Sequence, residues 1–496
     1  MTVASFALAA MLGLAADAGP SELVARLGSS SFADREGAAS ALRRLGRSAL
    51  PALRDARDSR DPEIRARASA LVGEIGAASA LEPTPVRLDF RDRPLSEVAD
   101  AIGRAAGVTL APGPESAMSR PPGSRPAWPD RRVTLEAPDP VPFWEAIGRL
   151  CRAGGLRRAY PLGDYGPDEP FHRLILVPGE SSAPAVDAGP VRVELLRVHR
   201  GADLDLAPGL YGDGRGMNFG VPRTGPGVDR VRRSDCFAEL LVSVEPRLRI
   251  VGEAPLERLE AVDEAGRSIL KGPTPEEQAD RLQMLQANPH LDPQRHPGLR
   301  FGSGGSRSSP TRLRRVPLAD SAPAGGRLAR LRGVVAVAVM ARQADPPALP
   351  LADAKGQTVA KDGVRLTVHE AKVKPGHFDG EIELTLEIDD DGETLKIQGP
   401  GVAPLDIRRP IDLLQRQLEI LDEADRALEW SFLRPPKQGI RGRMRLSVRP
   451  RESGERVEFS KLRVRVFAIV GAAIEVPFSF ADVPMPGPTA LEEARP

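Results

Sequence analysis

The stretch VRLDFRDRPLSEVADAIGRAAGVTL, residues 86–110, predicts a strand, a helix and a second strand. Apolar and charged residues alternate over 86–90, as on a half-buried strand. After Pro94, apolar residues fall on one face of a predicted helix over 95–106, at Leu95, Val98, Ala99, Ile102 and Ala106. Gly107 follows where a left-handed cap ends a helix, and 108–110 is again strand-like.

The same succession repeats in VTLEAPDPVPFWEAIGRLCRAGGL, residues 133–156. It predicts a strand over 133–135, a helix over 142–153 that stops at Gly154 and Gly155, and a strand from Leu156 onward. One more strand is expected over 173–177. These elements predict a small two-layer βαβ-type module over residues 83–178.

This pattern resembles the secretin and TonB short N-terminal module, which we write as STN-like. The match is carried by Leu88-Asp89-Phe90, Pro94-Leu95, Gly107-Val108, Val133-Thr134-Leu135, Leu150 and Gly155-Leu156. The insert 113–130, with its five prolines, departs from the compact family pattern, and any small two-layer α+β domain remains the alternative.

The resemblance implies a docking module of bacterial envelope machines that contacts other envelope proteins. It also implies that the strands of the module are places where a partner strand could pair. The candidate partner-binding residues are Leu88, Phe90, Val133 and Leu135.

Length and charge limit the class of protein. A chain of 496 residues is too long for one core, which predicts three or four domains. Lys and Arg number 69 against 68 Asp and Glu, and only 4% of residues are aromatic. Neither a global positive field nor a set of stacking platforms is present, so we expect no nucleic-acid partner.

Residues 4–16 form a short apolar run, followed by Ala16-Asp17-Ala18 before Gly19. The run is too short to span a bilayer comfortably, so we expect no integral membrane span in the mature chain. It suits a signal peptide over 1–18 and therefore a periplasmic or otherwise exported protein. The alternative is the first helix of the array that follows.

Residues 19–80 predict helical hairpins that resemble HEAT repeats. Asp34 is expected to cap one helix, a second begins near Leu50, and Asp61 is expected to cap a third that has Pro62 in its first turn. Ala39-Ser40-Ala41-Leu42 recurs as Ala68-Ser69-Ala70-Leu71. So short an array should pack on a neighbour or present its apolar face to a partner.

After a predicted linker over 181–189, two β-rich blocks cover 190–348 and 349–486, and a tail covers 487–496. Five segments of the first block match the second in the same order: 191–195 with 364–368, 237–244 with 380–386, 262–267 with 421–426, 312–318 with 443–448, and 331–340 with 462–467. Residues 350–353 also match 480–483. The repetition predicts two related antiparallel β-sandwich domains, and it favours strand, turn and strand over a helix within 419–428.

The first block carries extra segments. Residues 201–233 are rich in Gly and Pro, 274–287 predict a helix, and 303–310 predict a flexible tether. The loop over 201–233 supports an alternative function, a wall-polymer or small-ligand binding protein, hydrolytic or not.

Few residues suggest chemistry. Gly212, Gly214 and Gly216 follow no parallel strand, and the run Asp389 to Gly392 suits a hairpin turn better than a calcium site. The six histidines lack metal-ligand spacing, so we expect no metal and no cofactor. Cys151 and Cys236 are expected to be buried thiols, with a bridge between them left open.

The sequence thus predicts a multidomain α+β chain: helical-repeat hairpins, a two-layer module and two related β-sandwiches. We expect no catalytic residues and no enzyme activity. The predicted function is a cell-envelope scaffold or docking protein.

Overall fold

A computed structural model shows the architecture of the chain. It describes residues 18–113, 127–159, 173–181, 183–200, 202–205, 236–253, 256–272, 311–319, 326–343, 346–361, 364–373, 382–390, 394–399, 402–408, 417–423, 427–434, 442–449 and 458–485. These residues are mostly β, with an N-terminal helical region and several separate sheets. The coarse prediction of a chain that combines N-terminal helices with several β-sheets is confirmed.

The chain forms two compact units. Unit 1 comprises Met1–Glu82 and Val339–Ile474, and unit 2 comprises Pro83–Ala338 and Glu475–Pro496. Each unit therefore joins segments that are distant in sequence, and the chain passes from one unit to the other three times.

Unit 1 begins with four helices: α1 (Pro20–Arg26), α2 (Phe32–Leu45), α3 (Leu50–Asp55) and α4 (Pro62–Leu81). The prediction for Asp61 is confirmed, because its carboxylate accepts from the N–H groups of Glu63 and Ile64 at the start of α4. The prediction for Asp34 is wrong. Ser31 caps α2, and its hydroxyl accepts from the Asp34 N–H at 3.4 Å, so Asp34 lies inside the first turn.

The helices of unit 1 pack on β-structure from the far end of the sequence. Helix α4 contacts strand β20 (Thr394–Gly399). A Cβ added at Gly76 of α4 would lie 3.3 Å from Cγ2 of Val470, and Arg54 of α3 donates to the side chain of Gln343 at 3.0 Å. The helical segment therefore covers apolar surface on a neighbour, one of the two outcomes expected of so short an array.

We expect Gly37→Ala to raise the free energy of unfolding of unit 1 by about 0.5–1 kcal/mol, because glycine within a helix costs backbone entropy. Gly37 is an exposed residue of α2, and an added Cβ would meet nothing within 4 Å. Chemical unfolding followed by Trp430 fluorescence measures the change. Gly103→Ala, in a helix of unit 2, is the contrasting variant, and its unfolding is followed by Trp128 and Trp144. Its Cβ would lie 2.6 Å from the Val108 carbonyl oxygen, so stability should fall. A neutral result for both would show that packing space does not decide the outcome.

The 83–178 module lies in unit 2 and matches its predicted elements closely. Helix α5 is Leu95–Ala106 and helix α6 is Phe143–Gly154, and the caps at Gly107 and Gly155 are left-handed at φ 64° and 60°. Its strands are β1 (Pro85–Val86), β2 (Asp89–Pro94), β3 (Thr109–Pro112), β4 (Arg132–Glu136), β5 (Val141–Pro142), β6 (Leu156–Arg158) and β7 (Arg173–Pro178). The predicted strand over 86–90 is thus divided between β1 and β2. Strand β7 pairs in parallel with β3 and antiparallel with β6.

In unit 2, β9 (Val191–Arg200) pairs antiparallel with β11 (Cys236–Val244), and β11 pairs with β14 (Thr311–Leu318). Strands β8 (Ala185–Ala188) and β10 (Ala202–Asp205) pair with successive parts of β9. The predicted linker over 181–189 therefore contains a short strand. The remaining strands of this segment are β12 (Leu248–Glu253), β13 (Glu257–Asp263) and β15 (Arg327–Arg342).

In unit 1, β17 (Thr358–Lys361), β18 (Val364–Val373), β19 (Ile382–Asp390), β24 (Gly442–Arg449) and β23 (Glu429–Arg434) form an antiparallel sheet in that order. The order of β8, β9, β11 and β14 in unit 2 is the same as that of β17, β18, β19 and β24. Further strands are β16 (Ala348–Pro350), β21 (Val402–Arg408), β22 (Leu418–Leu421), β25 (Arg463–Val466) and β26 (Ile469–Pro484).

The strand interpretation of 419–428 is confirmed by β22 and by a bridge between Leu421 and Ala427. Val262 and Ser268, at the matched positions of the first block, form the same bridge. The match of 331–340 with 462–467 needs a shift of two residues. Arg332 lies opposite Glu260 and Arg465 lies opposite Glu419, so these two arginines are the equivalent pair.

The hairpin expected at Asp389 to Gly392 is wrong. Strand β19, which precedes the turn, belongs to the sheet with β18 and β24. Strand β20, which follows it, pairs with β21 and β26 instead. The segment therefore connects two sheets, and local composition could not distinguish that connection from a hairpin.

Glu419 of unit 1 accepts hydrogen bonds from Arg342 and from Nε of Arg465, the latter at 2.8 Å. Both guanidiniums lie over the Phe467 ring, at 4.3 and 5.1 Å from its centroid. Burial alone would raise the pKa of Glu419, but the two arginines outweigh burial and lower that pKa below its ordinary value.

We therefore expect Glu419 to make the stability of unit 1 sensitive to acid. Its folded pKa lies below the unfolded value of about 4.3, so its contribution is complete above that pH and is lost as the pH falls through the folded pKa. Urea unfolding followed by Trp430 fluorescence should show a difference between wild type and Glu419→Gln that shrinks in acid. Glu423→Gln is the control, because Glu423 forms an exposed ion pair with Lys461. A difference that does not change with pH would contradict the prediction.

Candidate functional site

Three of the four candidate partner-binding residues lie on one two-stranded ribbon of the module: Phe90 on β2, and Val133 and Leu135 on β4. Leu88 directly precedes β2, in the link from β1. Strands β2 and β4 pair antiparallel, and β1 and β5 form a separate two-stranded sheet. We call β2 and β4 together the β2–β4 ribbon. Helices α5 and α6 contact its strands.

The candidate side chains face the module core. Leu88, Val133 and Leu135 are buried, and Phe90 packs partly buried against the same cluster. The side chains next to them along the strands, at Asp89, Arg91, Arg132, Thr134 and Glu136, are exposed. A partner at this ribbon would therefore contact the backbone of a strand edge and polar side chains. The four apolar residues would not touch the partner and would instead anchor the strands in the module core.

The edge of β2 is poorly shaped for pairing. Its register with β4 shifts between Phe90 and Arg93, and Asp92 in between has φ 44°. The Asp92 N–H donates to Thr134 Oγ1 at 3.0 Å, and the strand ends at Pro94, which has no N–H. A bulge and a proline are common protections of an edge strand.

The edge of β4 is regular. Ala137 N donates to Leu88 O at 2.9 Å, and Leu95 N donates to Arg131 O at 2.8 Å. Because backbone groups alternate direction along an antiparallel strand, these bonds turn the odd-numbered residues of β4 toward β2. The N–H and C=O of Thr134 therefore point away from the ribbon.

The part of the outward edge of β4 that is open for pairing ends before Glu136. Its carbonyl oxygen accepts from Arg149 Nη1 of α6 at 3.3 Å. Within the described residues no further strand pairs with β2 or β4. The edge open to a partner strand therefore covers about residues 132–135.

Charges on the ribbon are paired locally. Arg91 bonds to Glu136, Arg132 Nε lies 2.9 Å from Asp92 Oδ2, and Arg93 lies 3.9 Å from Glu97. These side chains are exposed, so each pair contributes about 1 kcal/mol or less. The pairs keep the ribbon polar without a strong charge of one sign.

A buried ion pair holds the module against the first β block. Arg158 at the end of β6 donates to Glu194 Oε2 at 2.8 Å and to Ser243 Oγ at 2.9 Å. The side chains of Arg158 and Glu194 are only 7% and 5% exposed. The guanidinium lies 4.7 Å from the ring centroid of Trp144, whose Nε1 donates to Pro190 O at 3.0 Å.

A second contact holds the start of the module. The N–H and Oγ1 of Thr84 donate to the carboxylate of Glu245 at 2.9 and 2.6 Å. Arg247 Nε donates to the same carboxylate at 2.7 Å, and Glu245 is buried. The module and the first β block therefore belong to one compact unit.

Sequence reasoning did not single out Arg158 or Glu194. Glu194 interrupts an apolar strand pattern, and this is the one visible sign that it needs a buried partner. No spacing rule links it to an arginine 36 positions earlier. Trp144 could only be predicted as a core residue of α6.

Cys151 and Cys236 form no disulfide, so the bridge left open by the sequence is absent. Cys236 is buried and Cys151 is partly buried. Burial raises the pKa of Cys151 to about 11. A thiol that is protonated at neutral pH is a poor nucleophile.

Two of the six histidines fall within the described residues. His199 stacks on Phe237 with ring centroids 4.8 Å apart, and His369 Nε2 lies 2.8 Å from Glu387 Oε2. No group of three His, Cys, Asp or Glu side chains in the described ranges could hold a metal ion.

Several predicted segments lie outside the described residues. They are the signal-peptide segment 1–17, most of the insert 113–130, the loop 206–233 with Gly212, Gly214 and Gly216, the predicted helix 274–287, and the tether 303–310. Among the helices that the structure describes, none is both long enough and apolar enough to cross a membrane.

A scan against models of protein families and searches of curated proteins and of solved structures found no match to this chain.

Proposed function

We propose that this chain is a non-enzymatic cell-envelope protein that acts as an interaction scaffold, and that the outer edge of β4 receives a strand from a protein partner. The observation that carries the proposal is the outward-pointing backbone of Thr134, on a strand with no further pairing among the described residues. Strand addition supplies affinity through main-chain hydrogen bonds and specificity through alternate side chains.

The setting of β4 supports this role. The strand is anchored by Val133 and Leu135 in the module core, and the module is held to the first β block by Arg158 and Glu194. A rigid edge loses little conformational entropy when a partner binds. The bulge in β2 makes the opposite edge the weaker candidate, so the proposal concerns one edge.

Site-specific crosslinking in intact cells tests the location. A photoreactive residue is placed at Thr134, and a matched control is placed at Arg152, an exposed residue of α6. We expect a covalent adduct with one protein from position 134, mapped to one contiguous segment of that protein, and no such adduct from position 152. Equal adducts from both positions, or none, would contradict docking at β4.

Thr134→Pro and Thr134→Ala test the mechanism with the segment that crosslinking identifies. Proline removes the outward N–H, whereas alanine retains it, and both lose the hydroxyl that accepts from Asp92. We expect Thr134→Ala to bind like wild type and Thr134→Pro to bind at least tenfold more weakly, a loss of about 1.4 kcal/mol. Equal affinity of the two variants, with matching circular dichroism, would exclude main-chain pairing at this residue.

The finer domain assignments belong to the same proposal. We propose that 190–348 and 349–486 are related β-sandwiches, supported by the shared strand order and the matched bridges at Val262 and Leu421. We also propose that 19–80 is HEAT-like and that 83–178 is STN-like. The latter is supported by two strand–helix–strand halves, in each of which the helix ends in a left-handed glycine cap.

The envelope location rests on the apolar segment and the small residues before Gly19. Cell fractionation combined with intact mass tests it. We expect the chain in the exported fraction with a mass that corresponds to removal of residues 1–18. A full-length chain in the cytoplasmic fraction would remove the location from the proposal and leave the docking edge to be tested in vitro.

A further inference from the structure

Unit 2 contains an open depression of about 320 Å³ between strands β13 and β14. Among the described residues, three leucines and two arginines line it: Leu256, Leu259, Leu313, Arg314 and Arg315. The volume is at the lower end of the range for sites that take a small group. It lies in the first β block, away from the ribbon of the module.

The apolar side of the depression includes an exposed leucine. Leu313 of β14 is 40% exposed although it lies in the middle of a strand. Strand β24, which holds the same place in the sheet of the second block, has Arg443 and Arg445 at outward positions, where they contact Glu387 and Glu383. The position of β14 in its sheet therefore does not require an exposed leucine, because the equivalent strand β24 carries arginines at its outward positions.

The polar side of the depression is formed by the guanidinium of Arg315, which neighbouring side chains keep in position. Arg315 Nε donates to Oε1 of Glu239 at 3.0 Å, and its guanidinium lies 4.5 Å from the ring centroid of Phe237. The Glu239 side chain is fully buried, whereas the Arg315 side chain is 59% exposed. Within the described residues, the terminal Nη groups of Arg315 donate no hydrogen bond. They are suited to a planar carboxylate, which accepts two parallel N–H groups.

We infer that this depression binds an acidic peptide segment of a partner protein, with a carboxylate on Arg315 and a neighbouring apolar side chain against Leu256, Leu259 and Leu313. An extended peptide carries side chains that can reach both kinds of surface at once, and its charge complements the arginine. Because Glu239 and Phe237 already hold the guanidinium, binding costs it little side-chain entropy. The inference does not depend on the proposed role of the β2–β4 ribbon.

Fluorescence anisotropy with defined peptides tests the inference on the full chain. The probe is a labelled peptide of alternating leucine and glutamate, and the comparison peptides replace glutamate by lysine or leucine by serine. We expect binding of the leucine–glutamate peptide alone, weakened by added salt because part of the attraction is between charges. Equal binding of the lysine peptide, or no saturable binding of any peptide, would overturn the inference.

Leu313→Ser provides the matched variant, because it removes apolar contact at an exposed position. We expect it to weaken binding about tenfold, in line with the loss of one buried leucine contact. Leu433→Ser is its control, since Leu433 is 47% exposed on β23 of the second block. If both variants bind like wild type, the site is elsewhere.

Thr134→Pro should leave peptide binding unchanged, which separates this site from the ribbon.

Sodium decanoate serves as a competitor, because this small amphiphile also carries a carboxylate and an apolar group. Displacement of the peptide only by unlabelled peptide supports the inference. Tighter binding of decanoate than of the peptide would show that the depression prefers a small amphiphile, and this result would overturn the inference of a peptide ligand.

Discussion

Arg158→Ala will lower the free energy of unfolding of unit 2 by about 3–5 kcal/mol. The substitution leaves the carboxylate of Glu194 buried without its closest guanidinium, which lies 2.8 Å away in the wild type. It also removes the hydrogen bond to Ser243 and the contact with the Trp144 ring. Arg192 Nε stays 3.4 Å from Oε1 of Glu194 and offsets part of the desolvation cost of the buried carboxylate. The loss should therefore lie toward the lower end of this range and still exceed that at any exposed ion pair of the module.

Denaturant unfolding of the full chain in a Trp430→Phe background measures the loss, because Trp128 and Trp144 then report on unit 2 alone. Arg149→Ala is the matched control. It breaks an exposed i,i+4 pair with Glu145 and the 3.3 Å hydrogen bond to the Glu136 carbonyl oxygen, and it should cost about 1 kcal/mol or less. The double variant Arg158→Met with Glu194→Gln should lose less than the sum of the two single changes. Additive losses would show that the two side chains do not stabilise each other.

Gly399→Ala will destabilise unit 1 by about 3 kcal/mol. A Cβ at Gly399 of β20 would collide with the carbonyl oxygen of Ala473 and lie 2.8 Å from its carbonyl carbon. The obstacle is backbone, so no rotamer change can relieve it. This is the place where β20 pairs in parallel with β26, at Ile397 with Gly471 and Gln398 with Ala472. A methyl group there must displace one strand from the other.

Unfolding followed by Trp430 fluorescence, with Trp128 and Trp144 replaced by phenylalanine, reports on unit 1. Lys396→Ala on the same strand is the control, since Lys396 is exposed and its change should stay within about 0.5 kcal/mol. We expect unit 2 to keep its wild-type midpoint when its own tryptophans are followed. A Gly399→Ala chain as stable as Lys396→Ala would show that β20 and β26 do not approach closely in solution.

Arg158→Ala and Gly399→Ala test two different structural contacts of the proposed scaffold. The Arg158 pair holds the docking module against the first β block, and the Gly399 contact lets two strands meet in unit 1. Weaker partner capture at β4 in Arg158→Ala, with the module still folded, would link rigidity of the anchor to docking.

Local pattern was sufficient for the module. The spacing of Leu95, Val98 and Ile102 and the glycine at 107 predicted α5 with both of its ends. Such elements are decided by period and by capping, which are properties of neighbouring residues. The same holds for Asp61 and α4. At α2 the predicted cap, Asp34, lies inside the first turn, and Ser31 caps the helix instead.

The site was predicted in part. The sequence located the strands that carry Phe90, Val133 and Leu135, with Leu88 directly before the first of them, but it could not determine which strand edge is open. That depends on the bulge at Asp92 and on Arg149 reaching the Glu136 carbonyl, both of which require the folded geometry. The depression at Leu313 and Arg315 was not predicted, because its residues come from two strands separated by a long insertion.

The sequence by itself determined the periodic elements of the module, the glycine caps at 107 and 155, the Asp61 cap and the repetition between the two β blocks, since each depends on residues near one another or on comparison along the chain. Only the tertiary structure decided which distant elements meet. It brought α4 to β20, paired Arg158 with Glu194, and separated β19 from β20 into different sheets. The pattern of a strand or helix predicts which of its faces is buried, but it does not predict which other element covers that face. The reason is that the hydrophobic effect is not directional, so an apolar face can be buried against any other apolar surface.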